Sequence, residues 1–124
     1  MKRYTEEHEW VIIVGGLAVV GITAFAAEEL GDITYVELPA VGKTVNKGES
    51  LCVIESVKAA SDVFSPVSGA VVEVNADLEN DPGIVNASPE EKGWICRMSG
   101  VSQAEVDKLM TAEQYAAFTA TKKK

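Results

Sequence analysis

Short runs of apolar residues alternate with polar and turn-forming residues along most of the chain. Residues 11–14 and 17–23 are rich in β-branched side chains and are separated by Gly15-Gly16, a typical signal for a β-hairpin. Further short strands are predicted at residues 33–38, 51–56, 63–65, 70–75 and 94–98. Turns or loops are predicted at residues 41–43, 46–48, 65–69 and 80–83. Many short strands at turn-marked spacing indicate a mainly β fold, either a β-sandwich or a flattened barrel.

Helical signals occur once in the first third of the chain and again at its C-terminal end. Ala24–Leu30 contains helix-forming residues and is followed by Gly31, which is typical of a helix C-cap. Two short C-terminal helices are predicted at about residues 103–110 and 112–120. Their starts are marked by two candidate capping boxes, Ser102 with Glu105 and Thr111 with Gln114.

The length and charge of the chain limit its function. Its 124 residues fit a single domain, with a core at about 4–98, helices at about 102–120 and a basic tail at 121–124. The net charge is -8, from 11 basic and 19 acidic residues. A nucleic-acid-binding protein needs a basic face to displace counterions from phosphates, so this charge argues against one. It also argues against docking on an anionic membrane surface. We interpret the terminal lysines as a solvated tail.

Residues 10–27 carry no charge and approach the minimum length of a membrane-spanning helix. Their β-branched composition and the interrupting glycines favour a hairpin instead. A signal peptide fits less well, because Glu6, Glu7 and Glu9 precede the apolar run where basic residues are expected. We therefore expect neither a membrane segment nor a targeting segment in this chain.

The residues that most often bind metals or act as nucleophiles are few. Cys52 and Cys96 form no C-x-x-C motif, so we expect two buried, reduced side chains. The single histidine, His8, has no second histidine or nearby cysteine, and no metal site is predicted. His8 and Glu9 lack an identifiable nucleophile, so a surface or capping histidine is the favoured interpretation, and no catalytic set is predicted.

Lys58 lies between two predicted strands in the segment "IESVKAASD". The tight turn should direct its side chain outward, and the small residues 59–61 would let another protein approach closely. Glu55 and Asp62 flank the turn. From these residues alone, an exposed turn lysine without a special role remains the ordinary interpretation.

The segment "ESVKAASD", residues 55–62, closely resembles the lipoylation site of the glycine cleavage system H-protein family. The similarity continues in the family's order over nearly the whole chain, in "YTEEHEWV" (4–11), "VGIT" (20–23), "LGDITYVELPAVG" (30–42), "SPVSGAVVEVN" (65–75) and "KGWICRM" (92–98). It implies a lipoyl-domain β-sandwich in which Lys58 carries lipoate in amide linkage on an exposed hairpin. Biotin carriers usually flank this lysine with methionines, and lipoyl domains of 2-oxo acid dehydrogenases tend to have Asp before it, whereas Val57 and Ala59 flank Lys58.

The resemblance implies a carrier protein rather than an enzyme. A pyridoxal-phosphate glycine decarboxylase (P-protein) would release carbon dioxide and pass the aminomethyl group to the oxidised lipoyl disulfide. An aminomethyltransferase (T-protein) would move the one-carbon unit to tetrahydrofolate, and dihydrolipoyl dehydrogenase (L-protein) would reoxidise the dithiol. A lipoate ligase or octanoyltransferase would modify Lys58. We expect a monomer, in the bacterial cytoplasm or the mitochondrial matrix of a eukaryote.

The resemblance also implies roles for residues other than Lys58. It places Glu55 and Gly69 in recognition by the lipoylating enzyme, and Gly69 is expected to hold a turn conformation that a Cβ would strain. Glu9 and Asp62 are expected at a surface cleft that shelters the loaded arm. For Glu9 this requires proximity to the Lys58 hairpin; the alternative is a solvated charge at the start of a strand.

The chain departs from the family in its first hairpin. The family usually has polar or charged residues there and an Asp after "GIT", whereas this chain has Ile12, Gly16 and Ala24. The outer face of the hairpin is therefore more apolar than in the family. Either this face is a contact surface, or the C-terminal helices cover it.

Two other functions are compatible with the residues. The chain could be a stand-alone lipoyl carrier for lipoate relay or another redox pathway, or a structural domain that never carries lipoate. Genes for the decarboxylase and the aminomethyltransferase in the same genome would favour the glycine cleavage function over the first alternative. An unmodified intact mass after expression with an active lipoate ligase would favour the second.

Overall fold

Nine short β-strands form two antiparallel sheets within residues 2–122, which are the residues that the computed structural model describes. The strands are β1 (Arg3–Tyr4), β2 (Glu9–Val14), β3 (Leu17–Ile22), β4 (Ile33–Glu37), β5 (Thr44–Val45), β6 (Ser50–Ser56), β7 (Ala60–Phe64), β8 (Gly69–Val74) and β9 (Cys96–Ser99). The larger sheet has the order β1-β2-β3-β9-β8-β5, and the smaller has the order β4-β6-β7. The two sheets do not join into a closed barrel, so the predicted β-sandwich is confirmed in an open form.

The main hydrophobic core lies between the two sheets. Val11 and Val20 of the larger sheet and Ile54 of the smaller sheet are fully buried in it. Alternate residues of a strand point to opposite faces. The residues next to Val11 and Val20 therefore point to the other face of the larger sheet, where Trp10 and Val19 belong to a second apolar cluster, called the aromatic cluster below. The buried members of that aromatic cluster are Tyr4, Trp10, Val19 and Tyr115.

The first hairpin forms where it was predicted, between β2 and β3. Gly15 and Gly16 have φ values of 59° and 82°, in the left-handed region that glycine adopts without steric cost. A Cβ at Gly21 would lie 2.7 Å from the Trp10 ring, so the absence of a side chain lets the indole pack closely against β3. No helix in the described part of the chain is long and apolar enough to cross a membrane.

Short helices connect the strands and end the chain. They are α1 (Ala24–Leu30), α2 (Asp77–Asn80), α3 (Ile84–Ala87), α4 (Gln103–Asp107) and α5 (Ala112–Lys122). The predicted bounds of α1 are confirmed. The Thr23 hydroxyl accepts a hydrogen bond from the Ala26 amide at 3.2 Å, and Gly31 ends the helix with a φ of 78°.

The C-terminal helices differ in length from the prediction. Helix α4 ends at Asp107 rather than at residue 110, because the backbone of Met110 pairs with Tyr4 through hydrogen bonds of 2.9 and 3.0 Å. Helix α5 continues to residue 122, so two residues of the predicted basic tail are helical. Residues 123–124 of that tail lie outside the described residues.

One of the two predicted capping boxes is confirmed and the other is wrong. Thr111 and Gln114 exchange backbone-to-side-chain hydrogen bonds of 2.9 and 3.2 Å. Ser102 makes no side-chain capping bond. Instead, the Glu105 carboxylate accepts hydrogen bonds from the amide and hydroxyl of Ser68, at 2.8 and 3.1 Å, and so connects α4 to the turn before β8.

Several short elements were not predicted. Strands β1 and β5 and helices α2 and α3 are too short to show a hydrophobic period in the sequence. Strand β7 begins at Ala60 rather than at residue 63, because its pairing with β6 continues up to Glu55 opposite Ala60. Strand β9 covers Cys96–Ser99 rather than residues 94–98. None of these differences removes a predicted strand.

Candidate functional site

Lys58 lies in a tight turn between β6 and β7. The Ser56 amide donates to the Ala59 carbonyl at 2.8 Å. The Ser56 hydroxyl accepts from the amides of Lys58 and Ala59 at 3.2 and 3.3 Å. Because Ser56 satisfies the backbone of the turn, its tip can project from the sheet, and Val57 is 67% exposed. The predicted exposure of Lys58 is confirmed.

The tip of this turn rests on the C-terminal end of α1. The Lys58 ammonium donates to the backbone carbonyl of Glu29 at 3.2 Å. The amide of Val57 donates to the carbonyl of Asp32 at 3.0 Å. The smaller sheet thus presents Lys58 against a helix that follows the first hairpin of the larger sheet.

An open cleft of about 390 Å³ runs between α1 and β7, beside the Lys58 turn. Among the described residues that line this α1–β7 cleft there is no lysine or arginine. Its acidic lining residues are Glu7, Glu9, Glu29 and Asp62. The lining is therefore suited to a cationic group.

Glu9 is the buried carboxylate of the α1–β7 cleft, with 3% of its surface exposed. Its oxygens accept hydrogen bonds from the Thr5 hydroxyl at 2.6 Å and from the Phe64 amide at 3.3 Å. Burial raises the pKa of Glu9 to about 7, although both hydrogen bonds lower it. Glu9 is therefore not a solvated charge. It lies against β7, the strand that follows Lys58.

Asp62 lies on β7 and lines the same cleft. It is exposed, and its carboxylate accepts a hydrogen bond from the Ser50 hydroxyl at 3.2 Å. The structure thus brings Glu9 and Asp62 to one cleft from different sheets. The resemblance implied this juxtaposition, which the spacing of the two residues along the chain does not indicate.

Glu55 and Gly69 lie in different sheets. Glu55 is exposed on β6, where it pairs with Tyr35 and Ala60. Gly69 begins β8, and its φ is not in the left-handed region, so the predicted strained turn conformation is wrong. A Cβ at Gly69 would lie 2.6 Å from the Ser99 carbonyl oxygen. Close packing against β9 therefore accounts for this glycine.

His8 joins the first hairpin to α5. It has a φ of 71°, and its Nδ1 lies 2.7 Å from the Tyr115 hydroxyl. The same hydroxyl lies 2.7 Å from the Thr23 hydroxyl at the start of α1. His8 also stacks on Phe25, with ring centroids 4.5 Å apart. The sequence held no signal for this contact, because Tyr115 is remote along the chain.

The apolar first hairpin is partly covered by α5. Ile12 is half-buried and packs against the aromatic cluster that contains Tyr115. Val14, at the end of β2, is 57% exposed. Ile12 therefore belongs to the packed part of this face, in a cluster to which α5 contributes Tyr115.

The cysteines are buried and free, as predicted. Burial raises the pKa of the Cys96 thiol to about 12 and that of Cys52 well above its usual range. Within residues 2–122, no group of three or more His, Cys, Asp or Glu side chains is arranged to hold a metal ion. Lys58 and the α1–β7 cleft are the features that point to a function.

Known proteins resemble this chain over almost its full length. The family described as "Glycine cleavage H-protein" matches residues 2–122. The glycine cleavage system H protein of Caulobacter vibrioides is 54% identical over 119 residues, covering 96% of this chain and 98% of that protein. The corresponding protein of Thermotoga maritima is 48% identical over 120 residues, with 97% of both covered. The crystal structure of a glycine cleavage system H protein from Mycobacterium marinum has a TM-score of 0.85 and 39% identity, and the alignment covers 96% of both chains.

Proposed function

Because the chain belongs to the glycine cleavage H-protein family, we propose that Lys58 carries lipoate, joined to Nζ by an amide bond. The observation that carries this proposal is the position of Lys58, exposed at the tip of a turn and directly beside the α1–β7 cleft. The family supports a carrier role in the glycine cleavage system, so we assign no catalytic residue to this chain.

The surroundings of Lys58 fit a tethered group. The flanking residues 59–61 are small, so a modifying enzyme can reach Nζ from outside. The α1–β7 cleft is open to solvent, and its lining includes Ala60, two residues after Lys58, so a flexible arm can enter it from the turn. When attached, the lipoyl dithiolane supplies the disulfide that accepts the aminomethyl group of glycine.

The acidic residues of the cleft would hold the aminomethyl group, the cargo of the arm, through the positive charge of its amine. An amine on the arm is cationic near neutral pH, and the cleft offers the carboxylates of Glu9 and Asp62. Because the pKa of Glu9 is about 7, a nearby cation would favour its ionised form and bind it as a charge-assisted pair. Burial of Glu9 keeps bulk water away from one side of this pair.

Transfers between partners follow from the tether and the charge. A long lysine-linked arm raises the effective concentration of its reactive end at each docked enzyme. The net charge of -8 would steer weak and fast encounters with those enzymes. We propose the P-protein, T-protein and L-protein as these partners, with a lipoate ligase or octanoyltransferase as the modifying enzyme.

Intact mass spectrometry after co-expression with an active lipoate ligase tests this proposal. The expected result is one lipoyl group per chain, located at Lys58 by peptide mapping and lost in Lys58→Arg. Lys43 and Lys47 are internal controls, because both also lie near turns. An unmodified wild-type chain, or lipoate at either control lysine, would refute the assignment. Failure of the lipoylated protein to support glycine decarboxylation by P-protein would instead favour the stand-alone carrier.

A further inference from the structure

The Lys58 side chain makes a specific contact with the carbonyl of Glu29. Carbonyls in the last turn of a helix lack an intrahelical donor. Helix α1 has no basic residue in its last turn, so a cation near that end is favourable and Lys58 supplies it. The contact thus joins two elements that are remote in the sequence.

Asn86 keeps the Glu29 carbonyl available for Lys58. If α1 continued, the amide of Ile33 would be the donor to Glu29. That amide instead donates to the Asn86 side-chain oxygen at 2.9 Å. The Asn86 side-chain nitrogen donates to the Gly31 carbonyl at 2.9 Å. One side chain thus binds both a backbone donor and a backbone acceptor in the segment that follows α1.

The stem of Lys58 passes close to Gly31. A Cβ at Gly31 would lie 3.4 Å from Lys58 Cε and 3.9 Å from its Cδ. The backbone of Gly31, with φ 78° and ψ -156°, lies in a region that is open almost only to glycine. The lysine stem therefore crosses the end of α1 within van der Waals distance of a residue whose backbone conformation favours glycine.

Acylation of Lys58 changes its charge but keeps a donor. Attack of the neutral amine on an activated acyl group forms the N–C bond, and the leaving group departs with the electrons of the broken bond. Counting from the ammonium, the nitrogen loses two protons and keeps one N–H. An amide N–H and a carbonyl form an ordinary hydrogen bond, so the Glu29 contact does not depend on the positive charge.

We propose that the Glu29 carbonyl anchors Nζ of Lys58 both before and after acylation, and so sets where the arm leaves the turn. Glu29 and Leu30 also line the α1–β7 cleft, so an arm rooted on Glu29 starts along the wall that leads to Glu9. The proposal rests on the proposed function for the identity of the arm. The anchor itself requires only an acylated lysine.

Carbonyl chemical shifts test the anchor without lipoate. The Glu29 carbonyl carbon resonance is compared in the unmodified protein, in a protein with N6-acetyl-lysine incorporated at position 58, and in Lys58→Met, which keeps a stem but has no donor. We expect the first two to show a hydrogen-bonded, downfield carbonyl relative to Lys58→Met. Lys43→Met is the matched control, because Lys43 donates to the Ser50 carbonyl at 3.3 Å. It should shift Ser50 and leave Glu29 unchanged.

Two results would overturn the anchor. If Glu29 has the same shift in the unmodified protein and in Lys58→Met, the contact is not made in solution. If the acetyl-lysine protein matches Lys58→Met, the contact ends on acylation. Neither result bears on whether a ligase lipoylates Lys58, which the intact-mass experiment decides separately.

Discussion

The carboxylate of Glu9 accepts the backbone N–H of Phe64, at 3.3 Å, and so joins the first strand of one hairpin to the strand that follows Lys58 in another. Glu9 belongs to the larger sheet and Phe64 to the smaller. The α1–β7 cleft lies where these two elements meet. The buried carboxyl group of Glu9 is therefore part of the lining of the cleft that the Lys58 arm would reach.

Glu55→Ala should reduce the rate of lipoylation and leave the fold intact. Glu55 is exposed on β6, so loss of its side chain creates no cavity. The free energy of unfolding of the protein should therefore change by less than about 0.5 kcal/mol. Initial rates with a lipoate ligase and unfolding in urea measure the two effects. Glu73→Ala, an exposed acid on the other sheet, is the control. A wild-type lipoylation rate in Glu55→Ala would remove Glu55 from recognition.

Gly69→Ala should destabilise the protein because the added methyl group meets backbone. Its Cβ would lie 2.6 Å from the Ser99 carbonyl oxygen, and overpacking of this kind costs about 1–3 kcal/mol. Gly83→Ala is the matched control, because the nearest atom to its Cβ would lie at 3.5 Å and its φ is -63°. Urea unfolding compares both with wild type. If folded Gly69→Ala keeps its stability but lipoylates slowly, the glycine serves recognition rather than packing.

Ile12→Glu should unfold the edge of the larger sheet rather than abolish a binding surface. Ile12 is half-buried against the aromatic cluster that contains Tyr115, and a charged side chain there loses apolar packing and is partly desolvated, which should cost about 1–3 kcal/mol. Val14→Glu is the control, because Val14 is 57% exposed and should change stability by less than about 0.5 kcal/mol. Thermal unfolding and analytical ultracentrifugation check both variants. A stable Ile12→Glu protein with altered association would restore the contact-surface interpretation.

The sequence predicted features that depend on neighbouring residues and missed those that depend on distant ones. The Gly15-Gly16 turn, the ends of α1 and the Thr111–Gln114 box are local, and all three are confirmed. Glu105 has the correct spacing for a box with Ser102. It binds Ser68 instead, because the fold brings a turn with two free donors to it. A local sequence pattern cannot show that Ser68 binds Glu105 in place of the capping box at Ser102.

The candidate site shows the same division. Lys58 could be predicted because a turn lysine and its flanking residues are contiguous. The Ser56 hydroxyl that closes the turn was not singled out, although its position two residues before Lys58 was a signal. The Glu29 carbonyl could not have been found, because a backbone acceptor has no sequence signature. Lipoylation at Lys58 and the roles of Glu55, Gly69, Glu9 and Asp62 stay predictions.

The stability of the protein should depend on pH through Glu9. Its pKa is raised from 4.5 to about 7 in the folded chain, so the folded state binds this proton more tightly than the unfolded state. The stabilising contribution is full below about pH 4.5 and is lost as the pH rises through about 7. Glu9→Gln cannot ionise, so its stability relative to wild type should increase by about 2–3 kcal/mol from pH 5 to pH 8.

Urea unfolding at both pH values measures this difference. Glu7→Gln, on the lining of the same cleft, controls for the loss of a nearby negative charge. A constant difference between Glu9→Gln and wild type from pH 5 to pH 8 would show that Glu9 does not titrate differently in the two states.

Glu9→Ala should accept lipoate normally but protect its cargo poorly. We expect the lipoylating enzyme to recognise the Lys58 turn, which does not contain Glu9. The aminomethyl cargo is labile in water, and its cationic amine would lose a charge-assisted hydrogen bond worth about 1.5–3 kcal/mol. The loaded variant, purified away from partner enzymes, should therefore release formaldehyde and ammonia about ten-fold faster than wild type, or more. Asp62→Ala separates the two carboxylates of the cleft, and Glu79→Ala, which removes an exposed acid of α2 outside the cleft, controls for the loss of one negative charge. Equal decay rates for Glu9→Ala and wild type would show that Glu9 does not protect the cargo, and protection would then have to come from Asp62 or the cleft wall.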